Sequence, residues 1–72
     1  MIITIKTGDK INTLAGYLIV KDISNGFAEV EEIEIVDEVG TEKSSGIRSL
    51  TTKEIEREMK DYDGHNHTVI FK

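Results

Sequence analysis

Cysteine, proline and tryptophan are all absent from this chain, and its aromatic residues are limited to two Tyr and two Phe. Without cysteine there can be no disulfide and no thiolate metal site. Without proline no position is barred from a helix or a strand on that account. No uninterrupted apolar run approaches the ~20 residues that a membrane-spanning helix requires. These absences favour a cytoplasmic protein without a membrane segment.

The length of 72 residues is suited to one small domain, which we expect to extend over residues 1–72. The first ten residues lack the basic region and cleavage site of a signal peptide, which again favours the cytoplasm. The net charge is -5, and its distribution is uneven. Eight acids and no Lys or Arg lie between Asp22 and Glu42. Such a segment would attract a basic partner and repel nucleic acid.

Two strands and the turn between them are indicated near the start of the chain. Residues Ile2–Lys6 and Tyr17–Ile23 are rich in β-branched residues, and Gly8–Lys10 has the composition of a turn. Asn25 and Gly26 tolerate the positive φ angles of a type I′ turn, which predicts a hairpin. The acidic stretch 29–39 is therefore favoured as the next strand. A helix is the alternative, because Glu favours helices.

The predicted turn fixes the pairing of the two strands. It places Asp22 opposite Glu29 and Lys21 opposite Val30. Because two acids are adjacent at positions 31 and 32, one β-bulge there would keep charges out of the core. The inner face is then predicted to comprise Tyr17, Ile19, Ile23, Ala28, Val30, Ile33 and Ile35. The outer face would carry Asp22, Glu29, Glu31 and Glu34, together with Leu18, Val20 and Val36.

A helix is predicted from Leu50 to Tyr62. Thr51 and Glu54 have the spacing of a capping box, and Gly64 suits the left-handed residue after a helix. Residues 39–49 are expected to form a loop, and residues 67–72 a last strand. The order β-β-β-α-β predicts an α+β fold, a small antiparallel sheet with one helix packed on one face. The apolar residues left on the second face would need another cover, which a homodimer could supply.

No motif for catalysis or for a cofactor is found. The serines fall in predicted turns and none lies in a nucleophile elbow, so we expect a protein that is not an enzyme. Asp63, His65 and His67 could bind zinc or nickel if the chain were extended there. A helix C-cap followed by polar loop residues is the favoured interpretation, so no metal and no cofactor is predicted.

The acidic strand is the candidate binding surface. Rows of carboxylates spaced by ~6.6–6.8 Å on one side of a strand can imitate phosphate charge. The residues predicted to bind a partner are Asp22, Glu29, Glu31, Glu32, Glu34, Asp37 and Glu38. In size, acidity and lack of cysteine the chain resembles the small acidic inhibitors that phages encode, the DNA mimics. That resemblance implies a basic DNA-binding partner in a host cell, such as a nucleoid-associated protein, a nuclease or a polymerase subunit, and no direct nucleic-acid contact. The alternative is a structural or regulatory module that dimerises through its second sheet face.

Overall fold

The computed structural model describes all residues from 1 to 72 and contains six strands and one helix. Their bounds are β1 Ile2–Ile5, β2 Lys10–Asn12, β3 Gly16–Ser24, β4 Phe27–Ile35, β5 Glu42–Leu50, α1 Thr52–Asp63 and β6 Thr68–Phe71. Strands β2 to β5 form an antiparallel sheet in that order, and β1 pairs in parallel with β6. The predicted α+β class is confirmed. Two strands, β2 and β5, were not predicted, and β5 occupies most of the expected loop 39–49.

The hairpin between β3 and β4 turns where the sequence predicted. Asn25 has a φ of 53° and Gly26 a φ of 81°, as a type I′ turn requires. The pairs next to the turn also agree with the prediction, including Asp22 opposite Glu29. This pair is unfavourable in itself, because like charges directly opposite each other on a sheet repel.

The bulge of this hairpin lies in β3 and not, as predicted, in β4. The pairing shifts between Val20 and Asp22, so Lys21 is the extra residue and Val20 faces Val30. The predicted pairing of Lys21 with Val30 is therefore wrong, and further along the strands Tyr17 pairs with Ile33. Because the side-chain period of a strand is two, moving the bulge exchanges the two faces beyond it.

One face of the four-stranded sheet, here called the covered face, packs against α1 and the β1–β6 pair. Leu18 and Val20 of β3 and Val30 of β4 lie there, each no more than 2% exposed. Every strand and the helix contribute to the core. Its buried residues are Ile5, Ile11, Leu18, Val20, Ala28, Val30, Leu50, Ile55 and Val69.

The two caps of helix α1 are those that the sequence predicts, although the helix extends from Thr52 to Asp63 and not from Leu50 to Tyr62. The Thr51 side chain accepts a hydrogen bond from the Glu54 amide, and the Glu54 carboxylate accepts one from the Thr51 amide. Gly64 follows the helix with a φ of 76°. Ile55 of the helix is fully buried, while Tyr62 near its end is 51% exposed. The helix has 12 residues, and the structure contains no helix long and apolar enough to cross a bilayer.

Strand β5 is an edge strand with an irregular backbone. It pairs only with β4, and Ser45 is an extra residue between the pairs that Ser44 and Gly46 form. Gly46 has a φ of 115°, which lies in the region that favours glycine. Every residue of β5 except Leu50 is exposed. Pairing with β4 therefore holds the strand in place, because little of it is buried.

Candidate protein-binding face

The second face of the four-stranded sheet, here called the open face, carries apolar side chains but no fully buried one. Residues paired across antiparallel strands share a face, so the register identifies its members. The apolar members form a contiguous group, here called the open patch. The open patch consists of Tyr17, Ile19, Ile33, Ile35 and Ile47.

The open patch is only partly shielded from water. Ile35 is 46% exposed and Ile47 is 61% exposed, while the remaining members are half-buried. Phe27, near the hairpin turn on the same face, is 47% exposed. Isolated exposed apolar residues are common on protein surfaces, but adjacent ones on a flat sheet are typical of an interaction surface.

Tyr17 crosses the sheet and joins three strands of the open face. Its hydroxyl lies 2.6 Å from a carboxylate oxygen of Glu42 on β5, and donates a hydrogen bond to it. The Lys10 ammonium on β2 lies 4.2 Å from the centre of the Tyr17 ring. The hydrogen bond to Glu42 raises the pKa of Tyr17 above its ordinary value of 10.0. These two contacts tie Tyr17 of β3 to β2 on one side and, across β4, to β5 on the other.

Glu31 is the best-anchored acid of the open face. Its carboxylate accepts a hydrogen bond of 2.8 Å from the Ser44 hydroxyl and lies 3.3 Å from the Lys21 ammonium. The hydrogen bond from Ser44, followed by that from Lys21, lowers the pKa of Glu31 below its ordinary value of 4.5. The bulge at Lys21 thus presents a base to the acid that the sequence predicted as a binding residue.

The acids predicted to bind a partner do not lie on one surface. Asp22, Glu29 and Glu31 belong to the open face, whereas Glu32 and Glu34 point to the covered side. Strand β4 has no extra residue opposite β3, so positions 29 and 31 share one side of the sheet and positions 32 and 34 share the other. The predicted outward row that included Glu34 is therefore wrong.

The two acids on the covered side have partners within the chain. Glu32 lies 2.6 Å from the Arg48 guanidinium, which also reaches Glu58 of the helix at 3.4 Å. Glu34 accepts a hydrogen bond of 3.2 Å from the Ser45 hydroxyl. Arg48 thus links β4, β5 and α1, a role that contributes to the stability of the covered side.

Asp37 and Glu38 lie in the turn that connects β4 to β5. The Asp37 carboxylate accepts hydrogen bonds from the backbone amides of Val39 and Thr41, at 3.1 and 2.9 Å. Hydrogen bonds from Thr41 are the main cause that lowers the pKa of Asp37 below its ordinary value of 3.8. Asp37 therefore shapes the turn, while Glu38 makes no ion pair.

The Asp63, His65 and His67 segment closes the end of the helix. One Asp63 oxygen lies 2.7 Å from Nε2 of His67, and the other accepts a hydrogen bond of 2.8 Å from the His65 amide. The His65 amide, with His67, lowers the pKa of Asp63 below 3.8. The His67 side chain is 8% exposed, and its Nδ1 is buried. No three side chains of the metal-binding types gather anywhere in the structure.

The open patch was missed because both faces of β3 are apolar. Tyr17 and Ile19 alternate with Leu18 and Val20, so hydrophobicity alone fits either face to the core. This double pattern did indicate a second apolar face, but it did not indicate which residues belong to it. The helix and the β1–β6 pair bury only one face of β3, and the apolar residues of its other face stay half-buried.

Comparison with protein-family models, with curated proteins and with solved structures gives no match.

Proposed function

We propose that this protein is a non-enzymatic binding module that acts by packing its open face against another protein. The observation that carries the proposal is the open patch, a group of five neighbouring apolar side chains on a sheet whose other face packs against α1 and the β1–β6 pair. Burial of apolar surface is the main favourable term in most protein association. We propose that the protein acts in the cytoplasm, because a chain without cysteine does not depend on disulfides and suits a reducing compartment.

The contacts around the open patch suit this role. Tyr17 is fixed by Glu42 and Lys10, so it loses little conformational freedom when a partner covers it. Tyrosine is also among the residues enriched at interfaces, because its ring is apolar and its hydroxyl can stay hydrogen-bonded. Ile47 is the member of the open patch that lies on the edge strand β5, and at 61% exposed it can contact a partner directly.

The test is capture from a lysate of the cells in which the protein is native, with three variants compared to the parent. Ile35→Lys and Ile47→Lys place a charge in the open patch. Ile70→Lys on β6 is the matched control, because Ile70 is 48% exposed and Ile35 is 46% exposed. We expect Ile35→Lys and Ile47→Lys to abolish capture of the partner, whether it is another protein or a further copy of this chain. Ile70→Lys should capture it as the parent does. Equal capture by all four proteins would contradict the proposal.

A second candidate function is engagement of a basic, DNA-binding protein, with the acids blocking its DNA site. The observation that favours it is the opposition of Asp22 and Glu29 on the open face with no base in ion-pair contact with either. A basic partner would relieve that repulsion and would be drawn in by the net charge of -5. Direct nucleic-acid binding is disfavoured by the same charge.

This candidate has its own test. Capture of a basic partner should weaken as salt rises to about 0.5 M, because exposed charges are then screened beyond a few ångströms. Duplex DNA should compete. Charge reversal by Asp22→Lys and Glu29→Lys should abolish capture, while Glu34→Lys on the covered side should not. The candidate fails if the three reversals have the same effect.

A further inference from the structure

The identity of the occupant can be inferred from the open face itself, provided that the face is a binding surface as proposed above. We propose that a second copy of this chain covers the open face. The two copies are related by a twofold axis that lies in the interface between the two sheets. The axis runs parallel to the strands and passes above the gap between β3 and β4. In this arrangement β3 of one copy lies over β4 of the other, and β2 lies over β5.

The size of the open face meets the requirement for a specific but weak dimer. Strands are ~4.8 Å apart and rise ~3.3 Å per residue, so three strands of nine residues and one of three cover roughly 500 Å². Two copies would bury about 1,000 Å², which is the lower end for specific interfaces. We therefore expect a dissociation constant in the micromolar range or weaker.

The molecule is two layers thick, and a second copy would add its layers on the open face. Its shortest extent is 15 Å, which fits one sheet and one cover. Stacked sheets pack about 10 Å apart with their inner side chains interdigitated. A face-to-face dimer would give the second sheet face the same kind of cover that the covered face already has. Because the same patch serves on both copies, the contact closes on itself and does not propagate.

The charges of the open face are arranged by strand in a way that suits this axis. The bases are Lys10 on β2 and Lys21 on β3. Three of the acids lie on the other two strands: Glu29 and Glu31 on β4 and Glu42 on β5. The twofold axis therefore sets the basic half of each copy over the acidic half of the other. Asp22, beside the bulge in β3, is the one acid on the basic half.

The first experiment measures the mass of the intact chain in solution by sedimentation over a range of concentrations. We expect a monomer that converts to a dimer as concentration rises. Ile35→Lys and Ile47→Lys should each raise the dissociation constant by at least about tenfold. Ile70→Lys should leave it unchanged, and circular dichroism should show that all three variants are folded.

The second experiment tests the axis by charge exchange. Lys21→Glu and Glu29→Lys should each weaken self-association severalfold, because each change creates two like-charged contacts in a symmetric dimer. An equimolar mixture of the two variants should form a heterodimer about as tight as the parent dimer, since every altered contact is then between opposite charges. If the two substitutions weakened association only by damaging the fold of each chain, mixing the variants would not restore it.

The outcomes separate this inference from the proposed function. A chain that stays monomeric at about 1 mM, or a dimer unaffected by both isoleucine variants, overturns the inference. Failure of the charge-exchanged mixture to associate overturns the stated axis and with it the proposed dimer. If the chain is monomeric but Ile35→Lys still abolishes capture of a different protein, the binding module stands and the second copy does not.

Discussion

Leu18 and Ile19 are neighbours on one strand, and they differ in what covers them. Leu18 faces α1 and the β1–β6 pair and is 2% exposed, whereas Ile19 faces outward and is only half-buried. Both residues are apolar and both suit a strand equally well. The comparison shows that apolar pattern sets where a sheet can be buried, and that the available layers decide where it is buried.

The largest expected effect comes from truncating this pair of neighbours. Leu18→Ala should lower the free energy of unfolding by about 3 kcal/mol, because it leaves a cavity in a filled core. Ile19→Ala should lower it by about 1 kcal/mol or less at low concentration, where the open face has no partner. Urea denaturation followed by circular dichroism measures both. Similar losses for the two variants would show that the open face is buried in the monomer.

The next largest effect is expected from a change in helix α1, which packs on the covered face, and not in the sheet itself. Thr51→Ala removes the N-cap of α1 and should cost about 1 kcal/mol of stability. Thr52→Ala, at the first helical position, is the matched control and should cost much less. Thermal unfolding of the two variants makes the comparison. If Thr52→Ala is the more damaging change, the capping box does not hold the helix in place.

Acid should act on both sides of the sheet through carboxylates whose pKa values are lowered by folding. Amide hydrogen bonds from Thr51 and His65 lower the pKa values of Glu54 and Asp63 at the two ends of α1. On the open face, the hydrogen bond from Ser44 lowers the pKa of Glu31. A group whose pKa is lower in the folded state contributes stability above its unfolded value. Stability should therefore fall as pH drops from the ordinary values of 4.5 and 3.8 toward the lower folded values.

The contributions of the two sides can be separated by neutral variants. Glu54→Gln and Asp63→Asn should flatten the loss of stability in acid at the helix, and Glu31→Gln at the open face. Melting temperatures measured across this pH range provide the comparison. An acid response that is unchanged in all three variants would mean that other carboxylates control it.

The smallest effect concerns the open face in alkali. The pKa of Tyr17 is raised by its hydrogen bond to Glu42, so that bond contributes stability below pH 10.0 and is lost as pH rises through the folded value. Glu42→Gln should lower the pKa toward its ordinary value, whereas Glu38→Gln should not. Ultraviolet titration in a Tyr62→Phe background follows Tyr17 alone. A dilute solution keeps the open face free of a second copy.

Local signals in the sequence predicted the helix and the first hairpin accurately. Thr51, Glu54 and Gly64 act within one or two turns of chain, and Asn25 and Gly26 fix a turn by their own backbone preferences. Such features depend little on the rest of the fold. For that reason the two caps of α1 and the pairs beside the turn agreed with the prediction.

The position of the bulge could not be derived in the same way. A bulge at Lys21 and a bulge at the Glu31–Glu32 step both produce an apolar face, because β3 has two apolar sides. The choice depends on the cover, since Leu18 and Val20 fit beneath α1 and the β1–β6 pair. The same error affected the candidate site. Three of its acids, Asp22, Glu29 and Glu31, were correctly predicted to face outward, but the apolar residues beside them were assigned to the core.

Strand β5 escaped prediction for a different reason. Its sequence from Glu42 to Ser49 has Gly, Ser and charged residues and only one apolar side chain, Ile47. Such a composition is typical of a loop. Hydrogen bonds to β4 make it a strand, and the composition of β5 alone gives no sign of that pairing.

The extra residue in β5 also decides how copies of this chain can accumulate. A straight outer strand would let one molecule after another add to the same row of backbone groups, which leads to insoluble filaments. Ser45 interrupts that row, and Gly46 turns the backbone away from the geometry that a newcomer would need. Growth of filaments from this edge of the sheet is therefore discouraged.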